Sequence, residues 1–463
     1  MMQRGEAPAR SSVLDSGSLI TREQAKALAD RILKMSTAEQ TRVNIDCSYG
    51  ANTRFADASI TTSGAFVNTS VTMTVTIGRR RASATTNLLD DASLKRALDT
   101  AITLARLSPE DPELMPELDP QTYPTVPAFV DRTADLNPQA RAAAVKHAID
   151  AGVEAGESAG NIFLAGFLES DARVFAVATN NGLFAYHRTT SAEFSVTART
   201  PDETGSGWAS GGARDWNAVS PAAIGRRAAQ KAVASRNPQR LDPGKYTAVL
   251  EPQAVNDLIP LLSNALNARN ADEGRSPFSK LGGGNRIGEK VADERVTLYS
   301  DPVDPMLLGR PFDNEGLPVQ RTVWIEKGIL RNLAYSRFWA QKQGVMPTGG
   351  ITFAGGLTLA GGTKSTEEII AGCEYGILLT HFFYIRSVDP RTVLETGLTR
   401  DGTFLIEKGK ITRALKNYRW NESPLLMLNR LEDIGRPEAV AAGRMMPALR
   451  IRGFDFTSAS DAV

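Results

Sequence analysis

Strict two-residue alternation within Asn68–Ala84 is the feature that most limits how this chain can fold. Between Thr69 and Ile77, Val71, Met73, Val75 and Ile77 take every second position, and Ser or Thr fills the places between. Successive strand side chains point to opposite faces, so this run buries one face and leaves the other polar. A helix is expected before it at Thr21–Met35, where Ala25, Leu28, Ile32 and Leu33 fall at helical spacing behind a Thr21/Gln24 capping box. Another is expected from about Ala92 to Leu107, and further strands at Arg42–Tyr49 and Arg54–Thr61. The pattern predicts an α+β fold in which helices lean on an antiparallel sheet.

The rest of the chain divides by its punctuation. A Pro-rich stretch, Ser108–Pro127, closes the first unit. An Ala-rich helix, Pro138–Ala155, opens a second, followed by strands at Asn161–Leu168, Ala172–Thr179 and Leu183–Thr200. Asn180-Asn181-Gly182 suits the positive φ angles of a tight hairpin. Gly205–Trp216 reads as a loop, and Ser220-Pro221 starts a helix that runs to about Ala234. The prolines of Arg236–Gly244 mark the main boundary. Beyond it come a strand at Tyr246–Leu250, a helix at Ala254–Asn267, the glycine cluster Leu281–Gly288 and a strand at Val296–Ser300. Glu326-Lys327-Gly328 and Glu407-Lys408-Gly409 each read as a tight turn between strands. The expected division is a loose arm over 1–17, α+β modules over 18–127 and 128–237, a larger strand-rich C-terminal domain over 238–455, and a tail over 456–463.

Composition excludes several function classes. A formal net charge of +1 over 463 residues offers no electrostatic reason to expect nucleic acid or an anionic membrane as partner. The basic run Arg79-Arg80-Arg81 is a solvated strand end. Cys47 and Cys373 show no metal or redox spacing, which favours a reducing cytosol over a disulfide framework. No run has the length and apolarity of a signal core or a spanning helix, so a cytoplasmic protein is expected.

Chemistry has few footholds. His147 lies on a helix and His187 on a strand, both without partners at ligand spacing, and no HExxH, HExxxH, CxxC or HxH pattern occurs. Asp272, Glu273, Asp301, Asp304, Asp313 and Glu315 read as loop and turn residues. Around Gly355–Ser365 the phosphate-loop pattern fails, because Thr358 and Thr363 stand where glycines are needed. The segment reads instead as a flexible loop before a helix capped by Ser365 and Glu368. GGGNRIG at Gly282–Gly288 lacks dinucleotide-binding spacing, and GxSxG is absent. What remains is Thr380–Trp420, where His381, Arg386, Asp389, Arg400 and Asp401 are interleaved with Phe382, Phe383, Tyr384 and Ile385. These five charged or titratable residues are the candidate substrate-binding set.

The run from Tyr384 to Pro424, together with Gly309–Leu330, the Ser-Pro-Phe ending at Phe278, and Gly205–Ser210, resembles the TldD/PmbA family across about Asn161 to Arg436. The resemblance implies peptide degradation or maturation. Its catalytic members carry zinc on an HExxxH helix early in the C-terminal domain, with a cysteine ligand near the C-terminus, and pair with a sister subunit lacking that motif. Here the corresponding helix, about Ala254–Asn267, has neither His nor Glu, and Pro260 interrupts it; Gly443–Phe454 has no cysteine. The expectation is a noncatalytic, peptide-contacting subunit, with no metal of its own and no catalytic residue, whose HExxxH-bearing partner supplies zinc in a heterodimer. A peptidase active in its own right and a homodimeric peptide-binding protein are the alternatives. The strand-rich region from His381 to Glu407 offers an edge for an extended peptide, and Arg386 or Arg400 offers a partner for its carboxylate.

Overall fold

In the computed structural model, which describes residues 19–348, 353 and 355–460, the alternating run lies in the second strand of a six-stranded antiparallel sheet. Its strands are β1 (Gln40–Ala56), β2 (Ser59–Ile77), β3 (Arg80–Thr86), β4 (Phe163–Thr179), β5 (Phe184–Arg199) and β6 (Ser206–Ala213), in the order β3-β2-β1-β4-β5-β6. β1 pairs with β4 from Arg42↔Thr179 to Ala56↔Ala165, so segments on both sides of the Pro-rich stretch share one sheet.

One face of this sheet is covered by helices. α1 (Arg22–Met35), with the expected Thr21/Gln24 capping box, and α2 (Asp91–Leu107) bury Leu28, Ile32, Leu94 and Leu98 against Val43, Ile45, Val71 and Met73. Each such side chain contributes roughly 1.5–3 kcal/mol relative to exposure. Past the short α3 (Asp131–Ala134), α4 (Pro138–Gly156) and α5 (Pro221–Ala234) cover the β4–β6 end through Val145, Ala148, Ile224 and Ala228.

Three sequence expectations change here. Arg54–Thr61 is not a strand but the β1–β2 hairpin, with Asp57 and Ala58 at φ 48° and 57°. The turn has the two left-handed residues of a type I′ hairpin, but alanine stands where glycine normally signals it. Gly205–Trp216 is not a loop, since Ser206–Ala213 is β6. A Cβ on Gly205 or Gly207 would sit 2.2 Å from the carbonyl oxygen of Ala232 or Ala228 on α5, so these glycines permit close helix–strand approach. Within Gly355–Ser365, Leu357–Ala360 is a strand.

The C-terminal sheet is mixed and, among the described residues, has thirteen strands. They are β7 (Gly244–Leu250), β8 (Thr297–Ser300), β9 (Thr322–Glu326), β10 (Ile329–Leu330), β11 (Leu357–Ala360), β12 (Tyr375–Leu379) and β13 (Phe382–Asp389). After these come β14 (Leu394–Thr399), β15 (Thr403–Glu407), β16 (Lys410–Ala414), β17 (Asn417–Glu422), β18 (Leu431–Ala441) and β19 (Arg444–Ser460). β19 continues through residues 456–460, where a tail is expected; residues 1–17 and 461–463 lie outside the described part. β19 binds the sheet together by pairing with β7, β11, β17 and β18. The core holds Trp420, Phe454, Phe456, Phe382 and Tyr418 in mutual ring contact. Both Glu-Lys-Gly sequences turn tightly, with Lys327 and Lys408 at φ 47° and 52° followed by left-handed Gly328 and Gly409.

The helix expected at Ala254–Asn267 ends early. α6 spans Pro252–Leu258 and passes into a 3₁₀ turn over Ile259–Ser263, because Pro260 lacks the amide needed to continue the α-helical ladder.

Candidate functional site

The six-stranded sheet meets the C-terminal domain through the face its helices leave open. Along β6 the even residues point that way. Trp208 stacks on His381 with ring centroids 4.2 Å apart and planes 12° from parallel. Ser206 Oγ donates to Asp401 Oδ1 at 2.5 Å, and a Cβ on Gly212 would come within 3.3 Å of Ala441 Cα.

Three of the five predicted residues converge on this seam. His381 Nδ1 lies 3.6 Å and Arg400 Nε 3.7 Å from Asp401 Oδ2, ion-pair distances beyond direct hydrogen bonding. Asp401 sits at φ 53° in an Asp-Gly turn, and Thr380 Oγ1 donates to the carbonyls of Asp401 and Gly402. Burial by itself would push the Asp401 carboxyl up. His381, Ser206 and Arg400 outweigh it and hold the group below the usual range, so it is an anion under the imidazole. On the other side, Asp257 Oδ2 accepts the Phe382 amide at 2.9 Å, while burial pushes this carboxyl up against the pull of His381. The imidazole therefore stacks on an indole, lies beside the Asp401 carboxylate and interacts electrostatically with Asp257.

Arg386 and Asp389 do not join them. β13 bulges twice, between Phe383 and Arg386 and between Ser387 and Asp389, with Tyr384 at φ 56°. The exposed Arg386 guanidinium folds back over the Tyr384 ring at 4.3 Å, and Asp389 caps its own turn by accepting from Arg391 and Thr392. β13 does leave one edge unpaired among the described residues, but the bulges make it irregular.

Residues that the sequence reading passed over complete the seam. Trp208 and Ser206 were hidden in the supposed loop, although glycines at 205, 207 and 211 already showed a two-residue period. Lys231 Nζ reaches Glu251 at 2.7 Å and the Trp208 carbonyl at 3.3 Å, and Arg227 also pairs with Glu251. Burial pushes the Lys231 ammonium down, with Glu251 opposing. Beside these groups a cavity of about 520 Å³ opens between Glu169, Glu193 and Trp208 on the sheet and Gln253, Asn256 and Arg444 on the C-terminal domain. Asn256 Oδ1 and Arg444 Nη1 are buried there without hydrogen-bond partners.

The other histidines and carboxylates stay outside this chemistry. His147 is exposed on α4. His187 is buried, and burial, with Arg214 and Arg310 next, brings its pKa down to about 4. Asp301, Asp304 and Asp313 accept backbone amides within their own turns, Asp272 holds Trp339 and Asn285, and Glu273 and Glu315 pair with arginines.

Comparison with known proteins places this architecture. Residues 130–236 match the model of the PmbA/TldA metallopeptidase central domain and residues 243–458 that of the PmbA/TldA metallopeptidase C-terminal domain. The chain belongs to the PmbA/TldD metallopeptidase family. A metalloprotease of Methanothermobacter thermautotrophicus is 27% identical over 46% of this chain and 47% of its own length. A PmbA homologue of Haemophilus influenzae is 23% identical over 60% of this chain and 61% of its own. The matches thus span about half to three-fifths of these relatives. The structure of TldE from Thermococcus kodakarensis superposes with a TM-score of 0.82 at 18% identity, covering 94% of this chain and all of that one, and so shares the fold.

A PmbA/TldD metallopeptidase implies a metal, and the donors here do not fit zinc. Zinc in a peptidase takes three nitrogen, sulfur or oxygen ligands and keeps one position open. α6 and its 3₁₀ extension bring Gln253, Asn256 and Pro260 to the cavity, two amides and a ring without a donor. Asp257, on the same helix, already accepts the Phe382 amide and the Gln253 side chain. Among the described residues, no three His, Cys, Asp or Glu side chains cluster as a metal site. The described helices are also too short or too polar to cross a membrane.

Proposed function

We propose that this chain is the zinc-free, substrate-contacting subunit of a PmbA/TldD-type peptidase complex. A partner bearing HExxxH supplies the metal, and the complex acts on peptides or unfolded chains in proteolysis or maturation. The observation that carries this reading is the cavity at the seam. It has the place and size for a peptide segment, yet the helix beside it presents amides and proline where a catalytic member needs histidine. Trp208 lines this cavity and stacks on His381, which links it to the charged cluster of His381, Asp401 and Arg400, the substrate contacts of this reading. Arg386 and Asp389 are outlying contacts on the exposed hairpin. The resemblance in fold to a TldE structure fits the same assignment.

The test is zinc analysis and peptide cleavage by the purified chain alone and after mixing with an HExxxH-bearing family member. Cleavage by the mixture and none by the isolated chain is expected. Stoichiometric zinc with robust turnover by the chain alone would sink the proposal, as would a partner whose activity is indifferent to this chain. Arg400→Glu is expected to lower turnover by the mixture at least tenfold while the chain remains folded.

A further inference from the structure

The open face of the sheet has a second, separate cavity, and the segment Gly309–Gly316 that supplies its key residue docks on the sheet away from the His381 cluster, with Asn44 Nδ2 donating to the Asn314 carbonyl at 2.8 Å. About 660 Å³ in volume, it lies over β1, β2 and β4. Ser48, Asn68, Ser70 and Thr72 line the strand side, the Arg173–Asp46 ion pair forms one wall, and Arg310 reaches in from the C-terminal domain. The polar lining is the other half of the sequence alternation. Val71 and Met73 point to the helices, whereas Ser70 and Thr72 point into this space.

Arg310 is an incompletely satisfied cation. Its guanidinium stacks over the Phe175 ring at 4.4 Å and lies 5.1 Å from the centroid of Phe312, which fixes its plane. It donates to two neutral acceptors, Asn314 Oδ1 at 2.9 Å and the Asp313 carbonyl at 3.3 Å, while Nε is buried without a partner. The Asp46 carboxylate is held by Arg173, and Asp313 Oδ1 accepts the amides of Glu315 and Leu317. Burial lowers the Arg310 pKa to about 10, more than Asp313 and Asp46 raise it, and the group remains charged at neutral pH. A buried guanidinium N–H without an acceptor is costly, and a planar oxyanion is what its fork geometry matches. The adjoining hydroxyls and amide are donors of the kind that complete a carboxylate's shell.

From this geometry we infer that the cavity binds a carboxylate, the C-terminal carboxylate of a peptide, with Arg310 as its anchor. The choice of a peptide over another carboxylic acid rests on the peptidase reading above. Binding here needs no partner and no turnover. Failure of the complex to cleave peptides would remove the peptide assignment's biological setting without touching the anion site, and failure of the anion site would leave the seam cavity untouched.

The experiment is equilibrium binding of N-acetyl-trialanine, as the free acid and as the C-terminal amide, to the full chain, with inorganic phosphate as a third probe. The free acid is expected to bind at least tenfold more tightly than the amide. Arg310→Gln is expected to weaken acid binding at least tenfold and to leave the weak amide binding unchanged. Because Arg310 also packs between aromatic rings, Ser70→Asp provides an independent check: it places a carboxylate in the cavity and is expected to exclude the acid while circular dichroism and thermal midpoint stay near those of the parent. Equal affinity for acid and amide, no measurable acid binding, or acid binding unchanged in both variants would overturn the inference. So would phosphate binding to a cavity that rejects the free acid.

Discussion

The open face of the N-terminal sheet ends in two different surfaces. At the β5–β6 end it is pinned to the C-terminal domain beside the cavity of about 520 Å³: Trp208 lies on His381, Ser206 on Asp401, and glycines on the opposite side of β6 let α5 approach within van der Waals contact. At the β1–β2 end the same face carries Ser48, Ser70 and Thr72 into a solvent-accessible cavity, with the half-buried Arg310 above them. The difference shows what covering a sheet face requires. Where a second domain docks, Ser206 and Trp208 meet specific partners across the seam, while Asn256 Oδ1 and Arg444 Nη1 are buried there without a hydrogen bond. Where the face stays open, hydroxyls that water can satisfy suffice.

The largest expected effect tests the pinned end. Gly207→Val puts a side chain where even Cβ meets the Ala228 carbonyl at 2.2 Å, so β6 or α5 must move. We expect a loss of about 3 kcal/mol or failure to fold, read from urea unfolding; a loss below about 1 kcal/mol would mean that β6 is not tightly held.

Of similar size is a pH effect at His187. His187 has an ordinary pKa of 6.5, brought to about 4 in the fold. Between these values the unfolded chain binds the extra proton, so its stability contribution is intact above pH 6.5 and is lost as pH falls toward 4. About 3 kcal/mol is expected over that window by linkage. In His187→Asn the urea midpoint should fall less steeply across the same range, and parallel curves for the two proteins would contradict the burial.

Trp208→Ala removes the half-buried indole from His381. We expect about 2 kcal/mol of destabilisation and faster proteolytic nicking between the N-terminal and C-terminal domains. Unchanged unfolding and nicking would show that the stack does not hold the seam. The smallest effect belongs to the exposed hairpin. Arg386→Glu should alter stability by less than about 0.5 kcal/mol, and a larger shift in the thermal midpoint would mean that its contact with Tyr384 has been undervalued.

Much of this architecture was legible locally. The Thr21/Gln24 and Ser365/Glu368 capping boxes, both Glu-Lys-Gly turns and the one-sided burial of Val71, Met73 and Val75 follow from residues within a turn or a strand of one another. Asp57-Ala58 escaped notice because alanine occupies a left-handed position usually signalled by glycine. β6 escaped because its glycines look like loop residues until a helix is packed against them.

For the site, sequence proximity was a poor guide. Arg386 is five residues from His381 but is turned away by a bulge, whereas Asp401, twenty residues on, is brought back by the Thr380 hydroxyl and the return of the hairpin. The chain's residue order determined its elements, its turns and the lack of histidine on α6, because those depend on short-range backbone sterics and composition. Only the tertiary structure decided that Ser206 and Asp401, separated by 195 positions, share a hydrogen bond, and that Arg310 hangs over β1 and β2. Those choices depend on which faces two sheets bury against each other, a long-range balance of packing and desolvation that local pattern does not encode.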